Sequence, residues 1–200
     1  MALRLLLIRH AQTVWNRDRR YQGWQDSPLS EVGRAQAEAV GRALSSEPLK
    51  AVYSSTLGRA RETAEAIAAF HGLPVHADDA FREMAFGDWE GLAFDDCKAK
   101  DPDRYRLWAD EPHRFVPPGG ESLKDTVART LPYFIQEILP AVLNGKRTIV
   151  SAHGNSLRAL IMAIEGLTPE QILKRELDTG VPVVYRLKAD SRPDTVEILS

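Results

Sequence analysis

Two hundred residues, 44% of them hydrophobic, are enough chain to bury a full core without staples and favour a single domain over 1–200. Twenty-six Lys and Arg against 28 Asp and Glu give a net charge of −2 with both signs scattered, which argues against a nucleic-acid binder, and no apolar run reaches membrane-spanning length. The lone cysteine, Cys97, excludes an internal disulfide and fits a reducing compartment, so a soluble cytoplasmic protein is the expectation.

In chain order, Leu3–Ile8 is a continuous apolar run of buried-strand length. Val32, Ala35, Ala39 and Ala43 recur at helical spacing and predict a helix over Ser30–Leu44, with Ser30 as its N-cap. Ala51–Tyr53 reads as a short second strand, and the alanine-rich Leu57–Phe70 as a second helix that ends near Gly72 and Pro74. The stretch 78–125 breaks the alternation. It holds Pro102, Pro112, Pro117, Pro118 and Gly119–Gly120, and reads as a partly helical insertion over one end of the sheet. Pro132–Leu143 fits a third helix, with Pro132 in its first turn and Pro140 at a kink or end. Thr148–Ala152 is a third strand. Leu157, Leu160, Ile161 and Ile164 put a helix over Asn155–Ile164, closed by Gly166. Val181–Leu187 and Thr195–Leu199 read as terminal strands, and a free edge on the last leaves a homodimer open. The alternation implies an α/β fold of three layers, a mostly parallel central sheet flanked by helices.

Ligands of open parallel sheets sit beyond the carboxyl ends of the strands. "LLLIRH" ends on Arg9 and His10, "TIVSAHG" on His153, and "AVYSSTLGRARETA" puts Arg59 at the start of the helix after a third strand. Three strand ends can thus deliver four donors or positive charges to one cleft, and helix N-termini near 57 and 155 add backbone N–H groups. A phosphate is the natural occupant, because the planar arginine fork binds it bidentately. Desolvated without an anion, these charges would cost roughly several kcal/mol. A neutral imidazole, unperturbed pKa ~6.5, can attack phosphorus, and a second can donate to the phosphoryl oxygens. The leaving oxygen needs a proton, and "FREMAFGDWEG" offers Glu83, Asp88 and Glu90 without choosing among them. His10, His71, His76, His113 and His153 show no metal-ligand spacing, and there is no CxxC, so neither metal nor cofactor is expected.

"IRHAQTVWN", "YQGWQDSPLSEVGRAQA", "VYSSTLGRARETA", "FREMAFGDWEG", "PPGGES" and "SAHGNSLRAL" follow one another in an order that resembles the histidine phosphatase superfamily, which includes the cofactor-dependent phosphoglycerate mutases. The resemblance spans nearly the whole chain. It implies a phosphoglycerate mutase-like α/β fold and a metal-free phosphohistidine intermediate, with His10 as nucleophile, Arg9, Arg59 and His153 as the phosphate pocket, and Glu83 as proton donor. Asn16, Gln22, Gly23, Gly154 and Arg114 fall where such a protein would bind substrate. Ala11 departs from the motif, which usually has Gly, and is tolerable if the backbone there avoids positive φ.

The two halves pull apart on the reaction. "PPGGESLKDTVARTLPYF", "GKRTIVSAHGNSLRALI" and "TGVPVVYRL" resemble phosphoglycerate mutases, which would call for 2,3-bisphosphoglycerate. In the middle segment Met84, Phe86 and Phe94 stand where the mutase pattern has Arg, Tyr and Lys, and Ala109–Asp110 where it has two Arg. Arg104, Arg106, Arg114, His113 and Lys98 are the available compensations. "FGDWEG" and "WADEPHRF…GGES" are similar to the phosphatase branch. The reading favoured is a phosphomonoester hydrolase acting on a small phosphorylated metabolite, with mutase as the alternative. A non-catalytic phosphate-binding regulator is a third reading, against which the complete set of five core residues speaks. The conformation of 84–120 shapes the pocket mouth. Trp15, Trp24, Trp89 and Trp108 are expected to pack, not to recognise.

Overall fold

The computed structural model describes residues 3–111 and 114–199. Six strands form one sheet: β1 (Leu3–Arg9), β2 (Ala51–Ser55), β3 (Val75–Asp78), β4 (Thr148–Ala152), β5 (Pro182–Leu187) and β6 (Pro193–Ile198). Their order is β3-β2-β4-β1-β5-β6. The first four run parallel, and β5 and β6 close one side antiparallel. The helices are α1 (Val14–Arg17), α2 (Glu31–Ala43), α3 (Gly58–Ala69), α4 (Phe94–Lys100), α5 (Pro102–Asp110), α6 (Leu123–Tyr133), α7 (Leu139–Leu143), α8 (Gly154–Glu165) and α9 (Pro169–Leu173). The result is the expected three-layer α/β architecture.

Strand β1 shows why the apolar run is unbroken. Successive side chains alternate between faces. Leu5 and Leu7 join one core with Val150, Leu157, Leu160 and Ile161, whereas Leu6 and Ile8 join the other with Val52, Ala64, Ile67 and Ile149. Each such side chain contributes about 1.5–3 kcal/mol on full burial. Ser30 caps α2 as its sequence position implies, its side chain accepting from Gly33 N. Gly33 has to be glycine for a different reason: a Cβ there would fall 1.9 Å from the Gln12 carbonyl oxygen, so α2 presses directly on the loop that follows β1. Gly166, at φ 67°, closes α8 in the left-handed conformation.

The segment between β3 and α6 is partly helical, holding α4, α5 and two 3₁₀ turns. An aromatic cluster fastens it. Tyr21, from the loop after α1, meets Phe86, Phe94 and Trp108 at centroid distances of 4.7, 4.5 and 5.5 Å, and Trp89 stacks on Phe115 at 5.8 Å.

Three sequence expectations need correction. The third helix does not begin at Pro132. Ser122 caps α6 in a capping box with Asp125, and Pro132 lies inside the helix near its C-terminal end. A π-helical segment, Phe134–Ile138, then joins α6 to α7, where Pro140 occupies the first turn. Proline has no N–H for the ladder, and the wider π turn accommodates the lost bond. Second, β3 was not expected. It is a half-exposed edge strand of four residues and carries no clear alternation. Third, Trp24 does not pack in the core: it is 43% exposed, with the Arg82 guanidinium 5.2 Å over its ring. Strand β6 does lie at the sheet edge, as the terminal-strand reading anticipates.

Candidate active site

The parallel register builds the site. Arg9 lies opposite Ala152 across β1 and β4, so His10 and His153 each stand one residue past the paired ends. The His10 backbone N–H donates to the Ala152 carbonyl at 2.9 Å, and the imidazole centroids are 5.1 Å apart. On the other side of β4, β2 ends at Ser55, and α3 brings in Arg59 within its first turn.

His10 is 2% exposed, and its Nδ1 lies 2.8 Å from the Ala11 carbonyl oxygen. A carbonyl only accepts, so Nδ1 carries the proton and Nε2 keeps its lone pair. Burial, with Arg59 and Arg9 adding repulsion, holds the His10 pKa well below the usual 6.5. His153 is fully buried, neither ring nitrogen has a protein partner, and burial followed by Arg59, His10, Arg9 and Arg129 depresses its pKa in the same way. Both imidazoles are therefore neutral at pH 7. Ala11 does not adopt positive φ, and its N–H donates to Thr63 Oγ1 at 3.0 Å, so the departure from glycine brings no backbone strain.

Arg59 is 1% exposed and firmly held. It donates to the carbonyls of Gln25 and Gly23 at 2.9 and 2.8 Å and to Asp26 Oδ1 at 3.1 Å. The Asp26 carboxylate also accepts the Gly58 N–H at the start of α3, so one acid fixes both the helix end and the guanidinium. Arg9 donates to the Leu177 carbonyl at 2.9 Å. The Nε of each guanidinium is buried without a protein acceptor.

Glu83, 9% exposed, faces the same cleft, and its Oε1 accepts from Met84 N and Asn155 N at 2.9 and 3.0 Å. The other two acids of its motif are differently placed. Asp88 is exposed, and Glu90 accepts from the backbone N–H groups of Trp24, Gln25 and Phe86 at 2.9, 3.0 and 3.0 Å. The Trp24 indole N–H and Arg129 Nη2 both donate to the Glu83 carbonyl at 2.8 Å, so the half-exposed Trp24 positions the acid's backbone.

These groups surround a cleft of about 240 Å³ lined by Arg9, His10, Asn16, Gln22, Gly23, Arg59, Glu83 and Gly154. Thr13 orients two of them: its backbone N–H donates to Asn16 Oδ1 at 3.0 Å and its hydroxyl to Gln22 Oε1 at 2.9 Å, which leaves both amide nitrogens to donate elsewhere. Gly23, at φ 54°, cannot carry a side chain, since a Cβ would meet Glu90 Oε1 at 2.0 Å.

Arg114 is not brought to the cleft. Helix α5 directs Trp108 and Tyr105 into the aromatic cluster, and Phe115 anchors on Trp89, leaving Arg114 on an exposed turn between them. Arg104, Arg106 and Lys98 are exposed as well, Arg104 pairing with Asp101. His113 lies outside the described residues. The cleft is instead completed by Arg20, Arg158 and Asn155, with Tyr21, Phe86, Phe94 and Trp108 forming an aromatic wall. Arg158 was detectable in the sequence: it follows Gly154 by four positions on a helix, so both share a face. Arg20 carried no such signal. Among the described residues, no group of three or more His, Cys, Asp or Glu side chains is arranged to hold a metal ion.

Residues 5–195 match the histidine phosphatase superfamily, branch 1. The chain is 51% identical over 193 residues to a 2,3-bisphosphoglycerate-dependent phosphoglycerate mutase of Bradyrhizobium diazoefficiens, covering 94% of this chain and 93% of that protein. Its fold is similar to that of Bacillus stearothermophilus YhfR, with TM-score 0.85, 34% identity, and 92% and 91% of the two chains covered. It is equally similar to a mycobacterial glucosyl-3-phosphoglycerate phosphatase in complex with VO3, with TM-score 0.85, 30% identity, and 98% and 97% covered.

Proposed function

The chain belongs to the histidine phosphatase superfamily, branch 1, and on that premise we propose that it hydrolyses a small phosphomonoester through a phosphohistidine on His10. One observation carries this reading. A neutral imidazole, its Nδ1 tied to the Ala11 carbonyl, shares a cleft with two buried guanidinium groups and the carboxyl group of Glu83.

The substrate phosphoryl group sits among Arg9, Arg59, His10 and His153. Neutralisation of its charge and in-line positioning supply most of the rate, as a loose phosphoryl transition state requires. His10 Nε2 attacks phosphorus, a P–N bond forms, and the P–O bond to the leaving group breaks. Glu83, which enters this step as the protonated acid, gives that oxygen its proton. Neutral His153 donates one N–H to a phosphoryl oxygen. Glu83, now ionised, takes a proton from water as the water attacks phosphorus and releases His10. Asn16 and Gln22, oriented by Thr13, and the N–H groups of Gly23 and Gly154 complete the phosphate shell.

Hydrolysis is favoured over return of the phosphoryl group because Phe86 and Phe94, which line the cleft with Trp108, stand where the mutase pattern has Tyr and Lys to hold a second phosphate through a turnover. A second reading, a mutase using 2,3-bisphosphoglycerate, is supported by the 51% identity to a curated mutase. Phosphorus NMR of the protein with 3-phosphoglycerate, with and without 2,3-bisphosphoglycerate, separates them. Free phosphate alone is the expected result. Bisphosphate-dependent 2-phosphoglycerate would replace hydrolase with mutase.

A further inference from the structure

We propose that Arg158, with Trp108, is the specificity anchor of the cleft and binds a carboxylate carried by the leaving group of the substrate; the inference rests on the phosphomonoester reading of the same cleft.

Arg59 has the carboxylate of Asp26, and Arg129 that of Glu121, at 3.1 and 2.9 Å. Arg9 and Arg158 have only neutral acceptors. Arg9 donates to the Leu177 carbonyl, and Arg158 donates to Asn155 Oδ1 and the Arg175 carbonyl at 3.4 and 3.2 Å. The Nε of both is buried and unpartnered. A desolvated guanidinium that bonds only neutral oxygens favours an anion beside it. The phosphoryl group answers for Arg9. The charge of Glu83 also reaches Arg158, on α8, but Glu83 is the proton donor of the reaction, and while it holds that proton Arg158 lacks an anion.

An independent observation points to the same place. The Trp108 indole N–H, which can only donate, is also buried without an acceptor. Arg158, Trp108 and Asn155 line both the active-site cleft and an adjoining cavity of about 260 Å³. The other walls of that cavity are Met84, Ala109, Leu123 and Leu173, none of which offers a side-chain hydrogen bond. Two orphaned donors beside the Asn155 amide, in a recess whose other walls are apolar, match the two oxygens of a carboxylate. A phosphate dianion would leave oxygens facing methylene groups.

The test is calorimetric binding to the His10→Ala protein, which cannot turn over, of 3-phosphoglycerate and of glycerol 3-phosphate, in which the carboxylate is replaced by a hydroxymethyl group. The expected preference for the carboxylate is about 10-fold or more, the size of one charge-assisted hydrogen bond. Adding Arg158→Met should reduce the ratio to about 2-fold or less, and adding Trp108→Phe, which keeps the ring and removes only the N–H, should reduce it part of the way. Equal binding of the two esters to His10→Ala overturns the proposal. So does an Arg158→Met protein that loses both esters by the same factor. If Arg158→Met does not fold, Trp108→Phe decides, and an unchanged ratio overturns the proposal. Phosphate release from 3-phosphoglycerate by the wild type is measured separately. Its absence refutes hydrolysis and leaves the binding comparison standing.

Discussion

His10 has to be uncharged to attack phosphorus, and its surroundings enforce that at a cost in acid. Burial and the neighbouring Arg59 and Arg9 depress its pKa, and His153 is depressed alongside it. In the unfolded chain both return to about 6.5. As the pH falls below that value the unfolded state takes up protons that the native state refuses. Native stability is therefore at its full value above about pH 6.5 and is lost progressively as the pH drops toward the folded-state pKa values. The expected outcome is a urea midpoint that declines from pH 7.5 to pH 5, with a shallower decline in His153→Gln. A midpoint independent of pH over that range would show that the histidines are not held neutral. Residues of this kind were legible in the sequence because the chemistry demands particular side chains at strand ends. Arg114 was misjudged and Arg158 missed because only packing decides which of several arginines turns inward. Arg114 sits on a turn whose neighbours are drawn into the aromatic cluster, whereas Arg158 lies on α8, which starts at the site.

At the scale of elements, the site depends on a staple that performs no chemistry. Glu90 accepts three backbone N–H groups, two from the Trp24–Gln25 turn and one from Phe86. It thereby joins the loop that offers the Gly23 and Gln25 carbonyls to Arg59 with the segment that carries Glu83. Glu90→Gln replaces one accepting oxygen with an NH₂ facing a donor. It should cost about 1–3 kcal/mol of stability and lower kcat/KM, while Asp88→Asn, an exposed acid in the same motif, should change neither. Chemical denaturation and steady-state kinetics of the pair test this, and equal effects would refute the staple. The motif could not separate Asp88, Glu90 and Glu83 by composition, because all three are carboxylates and only the backbone around them differs. Elements with a strong pattern, such as β1, α2, β4 and α8, were readable within a residue or two. The start of α6 was misread although its signal was present: Ser122 and Asp125 form a capping box, but Pro132 is a louder helix-start signal and was taken for one. Strand β3 is too short and too exposed to carry a pattern at all.

The molecule as a whole gathers its charge unevenly. Its net charge is −2, yet the cleft is lined by Arg9, Arg20, Arg59 and Arg158 with Glu83 as the one carboxylate among the lining residues. The parallel register of β1, β4 and β2 accounts for Arg9 and Arg59, which lie at or just past two of the aligned strand ends, while Arg20 comes from the loop after α1 and Arg158 from α8, and the alternation of strands and helices that implies the register is the broadest signal in the sequence. Cations held together by a fold repel one another, so an anion that fits among them should stabilise the entire native state. An anion at 100 times its dissociation constant contributes about 2.7 kcal/mol. For a chain of this size that amounts to a rise in melting temperature of about 5–11 °C. Orthophosphate or orthovanadate is expected to produce it. Sodium chloride at matched ionic strength acts only by screening and should produce much less. Arg9→Met removes one of the two guanidinium groups assigned to the phosphoryl oxygens and should abolish most of the rise. Differential scanning fluorimetry of both proteins in the three salts is sufficient. If phosphate stabilises the wild type no more than chloride does, the converging arginines do not form an oxyanion site, and the phosphoryl-transfer reading fails with them.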